Sequence, residues 1–457
     1  MVPVGLRRTA RLGGCALVAC ALIAGCTAAD PERRSPEPTE AASSSPAPDP
    51  VTLSLAVFGP RPSLDAYDEL AEAFTAANPH IRVEVQRSRS ADQVLAAVRS
   101  GADAPDVFLI DHEHLPGLVE EELVQPVDGL LAERQVDFGD GYQRSGLTAF
   151  AASAALQCMP HDVSPVVVYY NMDLVDLASL GTETEDPPTP LDGWTWETFD
   201  RAARQASRGP GHGVYIEPDL ASLAPFVWSV GGEIVDDVQI PTTLTLSEDE
   251  PREALEQVLA LVRDPEVTPT AGELAQRSAV RRFASGELAM LLGTRALTPR
   301  LREAEDLEFD VMPLPRLGRL RTVSDMTGYC ISAGTEHTQA AADLLAFAVG
   351  RQGATITTRP GYVVPSNLEV ANSAVFSQPA LQPESTFLFN EGVRRTQPLP
   401  FTPSWVTLVD AVRPDLERMF YAPVIDLDEL LADIDAESQA ILAPEAGEET
   451  DDEAEDE

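Results

Sequence analysis

The fold of this chain is decided by three short apolar runs: TLSLAVF (52–58), IRVEV (81–85) and VFLI (107–110). The first two alternate between apolar and polar residues, as half-buried strands do. The third is continuously apolar, which is typical of a parallel strand that is covered on both faces. We therefore expect all three runs to be strands of one sheet.

Amphipathic helices are predicted in both gaps between these strands. Ser63 is the predicted N-cap of the first helix, Asn78-Pro79 ends it, and Ser90 begins the second helix. The apolar residues that share one face are Leu64, Tyr67, Leu70, Ala71 and Phe74 in the first helix, and Ala91, Val94, Leu95 and Val98 in the second. The order β-α-β-α-β predicts an open, doubly wound α/β sheet.

Ligands of such sheets bind beyond the carboxyl ends of the parallel strands. Two segments occupy those positions, Phe58-Gly59-Pro60 after the first strand and Asp111-His112-Glu113-His114 after the third. The second segment lacks the HExxH spacing that places two histidines on one helix face, so no metal is expected there.

The α/β pattern continues through the rest of the chain. Helices are predicted near 219–229, 251–263 and 272–284, and strands at 288–292 and 328–332. At 457 residues the chain is longer than a single core supports, so we expect at least two domains.

The composition excludes several classes of protein. With 74 acidic and 32 basic residues, the formal net charge is −42, which argues against a nucleic-acid-binding protein. The sequence contains no lysine, so neither a phosphate-binding P-loop nor a pyridoxal Schiff base can form. No cofactor is expected.

The N-terminus predicts export and lipid attachment. Arg7, Arg8 and Arg11 precede the apolar run 12–24, which is too short for an ordinary transmembrane helix. The run ends in LIAGC (22–26), which resembles a bacterial lipobox, so residues 1–25 are the predicted signal peptide and Cys26 the lipidated residue. The alternative is a plain secretory signal with an incidental cysteine.

Two segments have compositions that cannot bury enough apolar surface to fold. Residues 26–50 are rich in Ser, Pro, Ala and Glu and are predicted to be a disordered tether. Residues 444–457 are nearly all acidic at their end and are predicted to be a solvated, disordered tail.

Several motifs, in order, resemble those of extracellular solute-binding protein family 1, the maltose-binding-protein type. They are LAEAFTAANPHIRVEVQ (70–86), APDVF (104–108), PHDVS (160–164) with VYYN (168–171), GWTWETF (193–199), FASGELAM (283–290), MPLP (312–315) and GYCISAG (328–334). The resemblance covers roughly residues 51–440. Each motif alone is weak, but their order and spacing behind a lipobox are specific.

The resemblance implies a periplasmic-binding-protein type II fold, in which two discontinuous α/β lobes are joined by hinge crossovers. The first lobe would hold 51–159 and 331–380, and the second 163–328 and 385–443. The ligand would lie between the lobes. Cys158 and Cys330 fall beside crossover strands that are neighbours in the family, which implies a disulfide; two buried free thiols are the alternative.

A site for a sugar needs polar groups for its hydroxyls and flat rings for its C–H faces. The polar candidates are Asp111, His112, Glu113, Asp162, Asp219 and Arg295, and the ring candidates are Phe58, Trp228, Tyr329, Tyr362 and Trp405. Core packing is the alternative for each ring, and a solvated loop position for each carboxylate. Arg295 stands where maltose binders carry an aromatic ring, and Phe58 where many relatives carry tryptophan, so malto-oligosaccharides are disfavoured.

The resemblance implies a monomeric substrate-binding lipoprotein of an ABC importer, which binds a carbohydrate without converting it. It would act at the extracellular face of the cytoplasmic membrane, anchored through Cys26, and deliver solute to permease subunits. Two alternatives stay open: a sensory lipoprotein of the same fold, and a surface enzyme acting on envelope glycans.

Overall fold

The structure is a computed structural model that describes residues 49–101, 104–183, 185–209 and 211–443. The predicted signal peptide (1–25), the lipidation site Cys26, nearly all of the tether (26–50) and the acidic tail (444–457) lie outside the described residues. Among the residues that are described, no helix combines the length and apolarity that crossing a membrane requires.

The described part of the chain alternates strands and helices. The strands are β1 (Val51–Phe58), β2 (Ile81–Ser88), β3 (Val107–Asp111), β4 (Val124–Gln125), β5 (Ala151–Ala152), β6 (Ala155–Leu156), β7 (Met159–Pro165), β8 (Val167–Asn171), β9 (His212–Tyr215), β10 (Leu288–Gly293), β11 (Phe309–Met312) and β12 (Ser324–Ser332).

The α-helices are α1 (Arg61–Ala77), α2 (Ala91–Ser100), α3 (Leu115–Glu120), α4 (Asp128–Glu133), α5 (Arg144–Ala149), α6 (Trp196–Ala206), α7 (Leu220–Val230), α8 (Asp249–Val262), α9 (Ala271–Gln276), α10 (Ala279–Ala284), α11 (Thr298–Leu301), α12 (Thr338–Val349), α13 (Arg351–Thr358), α14 (Leu368–Ala371), α15 (Ala374–Ser377), α16 (Phe387–Val393), α17 (Trp405–Tyr421) and α18 (Leu427–Leu442). Short 3₁₀ helices span His112–His114, Leu177–Leu180 and Arg295–Leu297.

The first sheet has six strands in the order β2-β1-β3-β12-β4, with β7 also paired to β12. Strand β1 runs parallel to both β2 and β3, so the predicted β-α-β-α-β unit is confirmed. Strand β12 returns antiparallel to β3. Because β1 and β3 are parallel neighbours, their carboxyl ends lie at the same edge of the sheet.

Two details of the helices differ from the prediction. Helix α1 begins at Arg61, before Ser63, and the Ser63 side chain makes no capping hydrogen bond; Pro60 and Pro62 already fix φ near its helical value. The single helix predicted over 272–284 is two short helices, α9 and α10, because the backbone at Arg277 is extended.

The second sheet has four strands in the order β11-β8-β10-β9, and both of its faces are buried. On β8, Tyr169 packs in the same apolar core as the first sheet. The alternate residues Val168 and Tyr170 pack in a second core with α7, α8 and the C-terminal helices α17 and α18. This alternation follows from the two-residue period of a strand, and it explains why the β8 sequence is continuously apolar.

The chain passes between the two sheets on adjacent strands. Strand β7 pairs antiparallel with β12, from Met159↔Tyr329 to Pro165↔Ser324. Beyond that ladder, the Val166 N–H donates to the Val323 carbonyl at 2.9 Å, and the Thr322 hydroxyl donates to the Val166 carbonyl at 2.7 Å. The outgoing and returning segments are therefore hydrogen-bonded to each other along the whole crossing.

Cys158, immediately before β7, and Cys330, near the end of β12, form a disulfide with their Cα atoms 4.4 Å apart. Both residues are fully buried in the core of the first sheet. The bond spans 172 residues of sequence, a segment that contains all four strands of the second sheet. It therefore ties the outgoing strand to the returning strand on the first-sheet side of the crossing.

Replacing both cysteines, in Cys158→Ala/Cys330→Ala, is expected to lower the free energy of unfolding by about 2–5 kcal/mol, because the unfolded chain regains the freedom of a long open loop. Denaturant unfolding of the wild type with and without reductant, beside the double variant, measures this. Intact mass of the wild type should rise by two hydrogens on reduction. An unfolding midpoint that reductant leaves unchanged would contradict the prediction.

Candidate functional site

A cavity of about 810 Å³ opens where β1 and β3 end. Phe58, Gly59 and Pro60 line it beyond β1, and Asp111, His112 and Glu113 line it beyond β3. The two segments singled out from the strand order therefore meet in one cavity. The rest of the wall comes from three places: the crossing strands β7 and β12, residues 294–303 after β10, and the loops around 362 and 398.

Five carboxylates line this cavity, and four of them, Asp111, Glu113, Asp162 and Asp325, surround the ends of β3 and the crossing strands. We refer to these four as the acid cluster. Asp162, on β7, is buried, and its oxygens accept hydrogen bonds from the Thr327 amide (3.0 Å), the Thr327 hydroxyl (2.6 Å) and the Ser164 hydroxyl (2.9 Å). Among the described residues, none of the four forms an ion pair with an arginine or a histidine.

The carboxylates of the acid cluster are held in a setting that disfavours their charge. Burial, followed by the neighbouring charges of Asp325 and Glu113, raises the pKa of Asp111 to about 8. Burial, followed by the charge of Asp325, raises the pKa of Glu113 to about 7. Burial raises the pKa of Asp162 to about 6, although the hydrogen bonds from Thr327 and Ser164 oppose this rise. Asp325 is exposed where it lines the cavity, and its negative charge contributes to the raised pKa values of the other three.

Two histidines in the cavity wall do not offset this charge. His112 is 9 % exposed, and burial lowers its pKa to about 4 against the opposing effect of a hydrogen bond to the Ala149 backbone. His161 is buried on β7, with its Nε2 3.3 Å from the Tyr67 hydroxyl, and burial lowers its pKa to about 4 as well. Both imidazoles are therefore neutral at physiological pH.

The predicted ring residues divide into two groups. Phe58 and Tyr362 line the cavity. Tyr329 is fully buried in the first core, packed edge-on against Tyr67 at 6.4 Å between ring centroids. Trp228 and Trp405 are buried in the second core and are not among the residues that line the cavity.

Arg295 and Asp219 also lie outside the cavity wall. Arg295 is fully buried; it donates to the carbonyls of Gly361 (3.1 Å) and Phe376 (3.2 Å) and lies over the rings of Phe376 and Phe389. Asp219 caps α7 by accepting from the Ser222 amide at 2.7 Å. Its negative charge nevertheless reaches the cavity, because it raises the pKa values of Glu113 and Asp325.

Sequence reasoning missed several residues of the wall, including Tyr67, Asp325, Thr327, Arg300 and Glu303. Tyr67 falls on the apolar face of α1 and was therefore assigned to the core. Asp325 and Thr327 precede Gly328, where the predicted strand begins, whereas β12 begins at Ser324. Both reach the cavity because β12 pairs with β7, where Thr327 lies opposite Asp162 and Asp325 opposite Ser164.

Known proteins share both sequence features and the fold. The sequence profile of bacterial extracellular solute-binding proteins matches residues 69–383, more than half of the chain. An ABC substrate-binding protein of Listeria monocytogenes, solved with cycloalternan, is 22 % identical, with a TM-score of 0.73 over 85 % of this chain and 98 % of that one.

Two further solved structures are similar. The sugar-binding protein of Xanthomonas citri is 18 % identical, with a TM-score of 0.73 over 87 % of this chain and 98 % of that one. UgpB of Mycobacterium tuberculosis, solved with glycerophosphocholine, is 18 % identical, with a TM-score of 0.71 over 88 % of this chain and 100 % of that one. The expected fold class, two α/β lobes of periplasmic-binding-protein type II, is confirmed.

The raised pKa values predict how stability depends on pH. Between the ordinary carboxyl values and the raised values of Asp111 and Glu113, the folded protein binds more protons than the unfolded chain. The contribution of these carboxyls to the free energy of unfolding should therefore fall as the pH rises from about 4 to about 8. Below about pH 6.5 it is opposed by His112 and His161, whose pKa values burial lowers. Asp111→Asn should raise the free energy of unfolding by at least about 1 kcal/mol near pH 8 and by little near pH 4.

Denaturant unfolding across this pH range measures the effect. Asp433→Asn, at an exposed carboxylate of α18 outside any ion pair of the described residues, is the control for a change of net charge. Equal stabilisation by Asp111→Asn and Asp433→Asn at every pH would show that the raised pKa of Asp111 does not lower the stability of the folded protein.

Proposed function

Because the chain belongs to the bacterial extracellular solute-binding protein family, we propose that it is the solute-binding subunit of an ABC importer and captures a carbohydrate. The observation that supports this most directly is the cavity of about 810 Å³ beside the crossing strands. Its volume lies within the range of about 300–1,000 Å³ that small-molecule sites occupy. A monosaccharide or a short oligosaccharide fits within this volume.

The chemistry of the wall suits a carbohydrate. Carboxylates accept hydrogen bonds from sugar hydroxyls, and Asp111 and Glu113 accept none from the described residues, so their oxygens are available. The half-buried rings of Phe58 and Tyr362 offer flat apolar surfaces to the C–H faces of a pyranose. The similar protein that was solved with cycloalternan and the similar sugar-binding protein of Xanthomonas citri also support a carbohydrate as the solute.

In this proposal the two lobes, 51–159 with 331–380 and 163–328 with 385–443, close over the solute and bend at the crossing strands. The solute is released unchanged to the permease subunits. The protein acts as a monomer at the extracellular face of the cytoplasmic membrane, held there by a lipid on Cys26.

Tyr362→Ala is expected to weaken binding of the solute by roughly five- to tenfold, because the sugar loses contact with the ring face. A thermal-shift panel of mono- and oligosaccharides identifies the solute, since a ligand at 100 times its Kd stabilises the native state by about 2.7 kcal/mol. Calorimetry then compares the affinities of the variants. Phe387→Ala removes an exposed ring outside this cavity and is the matched control. Conversion of a sugar into product would refute the binding function.

Cys26→Ala is expected to release the protein from the membrane, because the thioether-linked lipid can form only on that cysteine. Fractionation of cells into membrane and soluble material, followed by immunoblotting, measures the distribution. Cys20→Ala, within the predicted signal peptide, is the matched control and should leave the protein in the membrane fraction. Retention of the Cys26 variant on membranes would contradict lipid anchoring at this residue.

A further inference from the structure

The cavity wall is unbalanced in charge. The four carboxylates of the acid cluster project into it, and Glu303 lines it as well. The basic residues in the wall, Arg61 and Arg300, are both exposed and make no ion pair with any described residue. The charges acting on Glu113 and Asp325 are all negative, since they come from Asp325 and Asp219.

The groups without partners are hydrogen-bond acceptors. The carboxylates of Asp111 and Glu113 accept no hydrogen bond from the described residues, in contrast to Asp162, whose oxygens are occupied by Thr327 and Ser164. His112 is more than nine-tenths buried, lines the same cavity, and uses one ring nitrogen for the Ala149 backbone. Its other nitrogen has no partner among the described residues, and in the neutral ring that nitrogen is an acceptor.

A neutral sugar satisfies this wall only in part. Each of its hydroxyls brings an acceptor as well as a donor, and none brings positive charge. A protonated amine brings three donors, no acceptor and the charge that the cluster lacks. The ring of Phe58 borders the same space and can contact an ammonium group through its face.

The geometry disfavours a bare metal ion as the missing cation. Within the described residues, no three histidine, cysteine, aspartate or glutamate side chains come close enough together to hold one ion. The carboxylates are therefore spread around the space rather than gathered at a point. Such a spread suits an organic cation whose donors reach separate acceptors.

We infer that the solute captured in this cavity carries at least one protonated amine, which Asp111, Glu113 and Asp325 surround. The inference rests on the proposed function, since it assumes that this cavity is the solute site. A cationic carbohydrate and an aliphatic polyamine share this chemistry. The probes below separate them.

Isothermal calorimetry with matched pairs of probes tests the inference. Glucosamine oligosaccharides of two or three units are compared with their N-acetylated counterparts, which have the same skeleton without the charge, and spermidine is the amine without a sugar. At a pH where the amines are protonated, we expect the free-amine oligosaccharide to bind at least about tenfold more tightly than the acetylated one, since bonds to charged groups are the strong ones.

Substitutions that remove charge without changing shape should remove this preference. Glu113→Gln and Asp325→Asn are each expected to weaken amine binding by about tenfold or more and to leave binding of the neutral counterpart nearly unchanged. Glu72→Gln, at an exposed glutamate of α1 outside any described ion pair, should have no effect and is the control for net charge.

Proton release is a second readout. The pKa of Asp111 is raised to about 8, so this carboxyl holds a proton at neutral pH when no cation is bound beside it. An arriving ammonium group lowers that pKa and displaces the proton. The binding enthalpy of the amine should therefore vary with the ionisation enthalpy of the buffer, and the variation should shrink in Asp111→Asn.

The outcomes separate this inference from the proposed function. Equal or tighter binding of the acetylated sugar would overturn the amine preference and leave carbohydrate capture standing. Binding of spermidine but of no sugar would support the amine and overturn the carbohydrate. If neither the glucosamine oligosaccharides nor spermidine bind, the inference is overturned. The sugar panel described above would then decide whether the proposed function survives.

Discussion

The hydrogen-bonded ladder between β7 and β12 is the constraint on which the rest of the structure depends. The two strands carry the chain from the first sheet to the second and back, so the relative position of the sheets follows from their register. The same two strands bring Asp162 and Asp325 to the cavity. A change of one residue in register would move Asp162 away from Thr327 and remove both Thr327 donors from its carboxylate, leaving only the Ser164 hydroxyl.

Crowding carboxylates into this cavity has a cost that the fold must offset. Like charges in a partly buried space repel, and the raised pKa values of Asp111 and Glu113 follow from burial and from this repulsion. Sites that bind a ligand often keep such destabilising groups because the ligand relieves the strain. The first-sheet core and the disulfide supply the rigidity that keeps these groups in place.

Much of the fold followed from local patterns in the sequence. The runs at 52–58, 81–85 and 107–110 gave the parallel strands, and the rule that ligands bind at strand ends led to Phe58 and Asp111. Asp325 could not be found in this way. It reaches the cavity through pairing with a strand about 160 residues earlier in the chain, and periodicity carries no information about such pairing.

The direction of individual side chains was also beyond reach of the sequence. Thr294 and Ala296 line the cavity, but Arg295 between them turns into the core, where carbonyls and two rings replace the carboxylate partner expected of an arginine. Trp228 and Trp405 lie on helices in the second core. In the sequence, a helical aromatic residue that faces the core has the same spacing as one that faces a cleft, so the spacing cannot tell the two apart.

The cystine between β7 and β12 turns the segment from Cys158 to Cys330 into a covalent ring. The second sheet lies wholly on this ring, as do the exposed loops around Leu191 and Ile240. A protease that hydrolyses one peptide bond there linearises the ring without detaching any piece. Outside a cell, where such enzymes are common, this part of the molecule needs two cuts before a fragment can be shed.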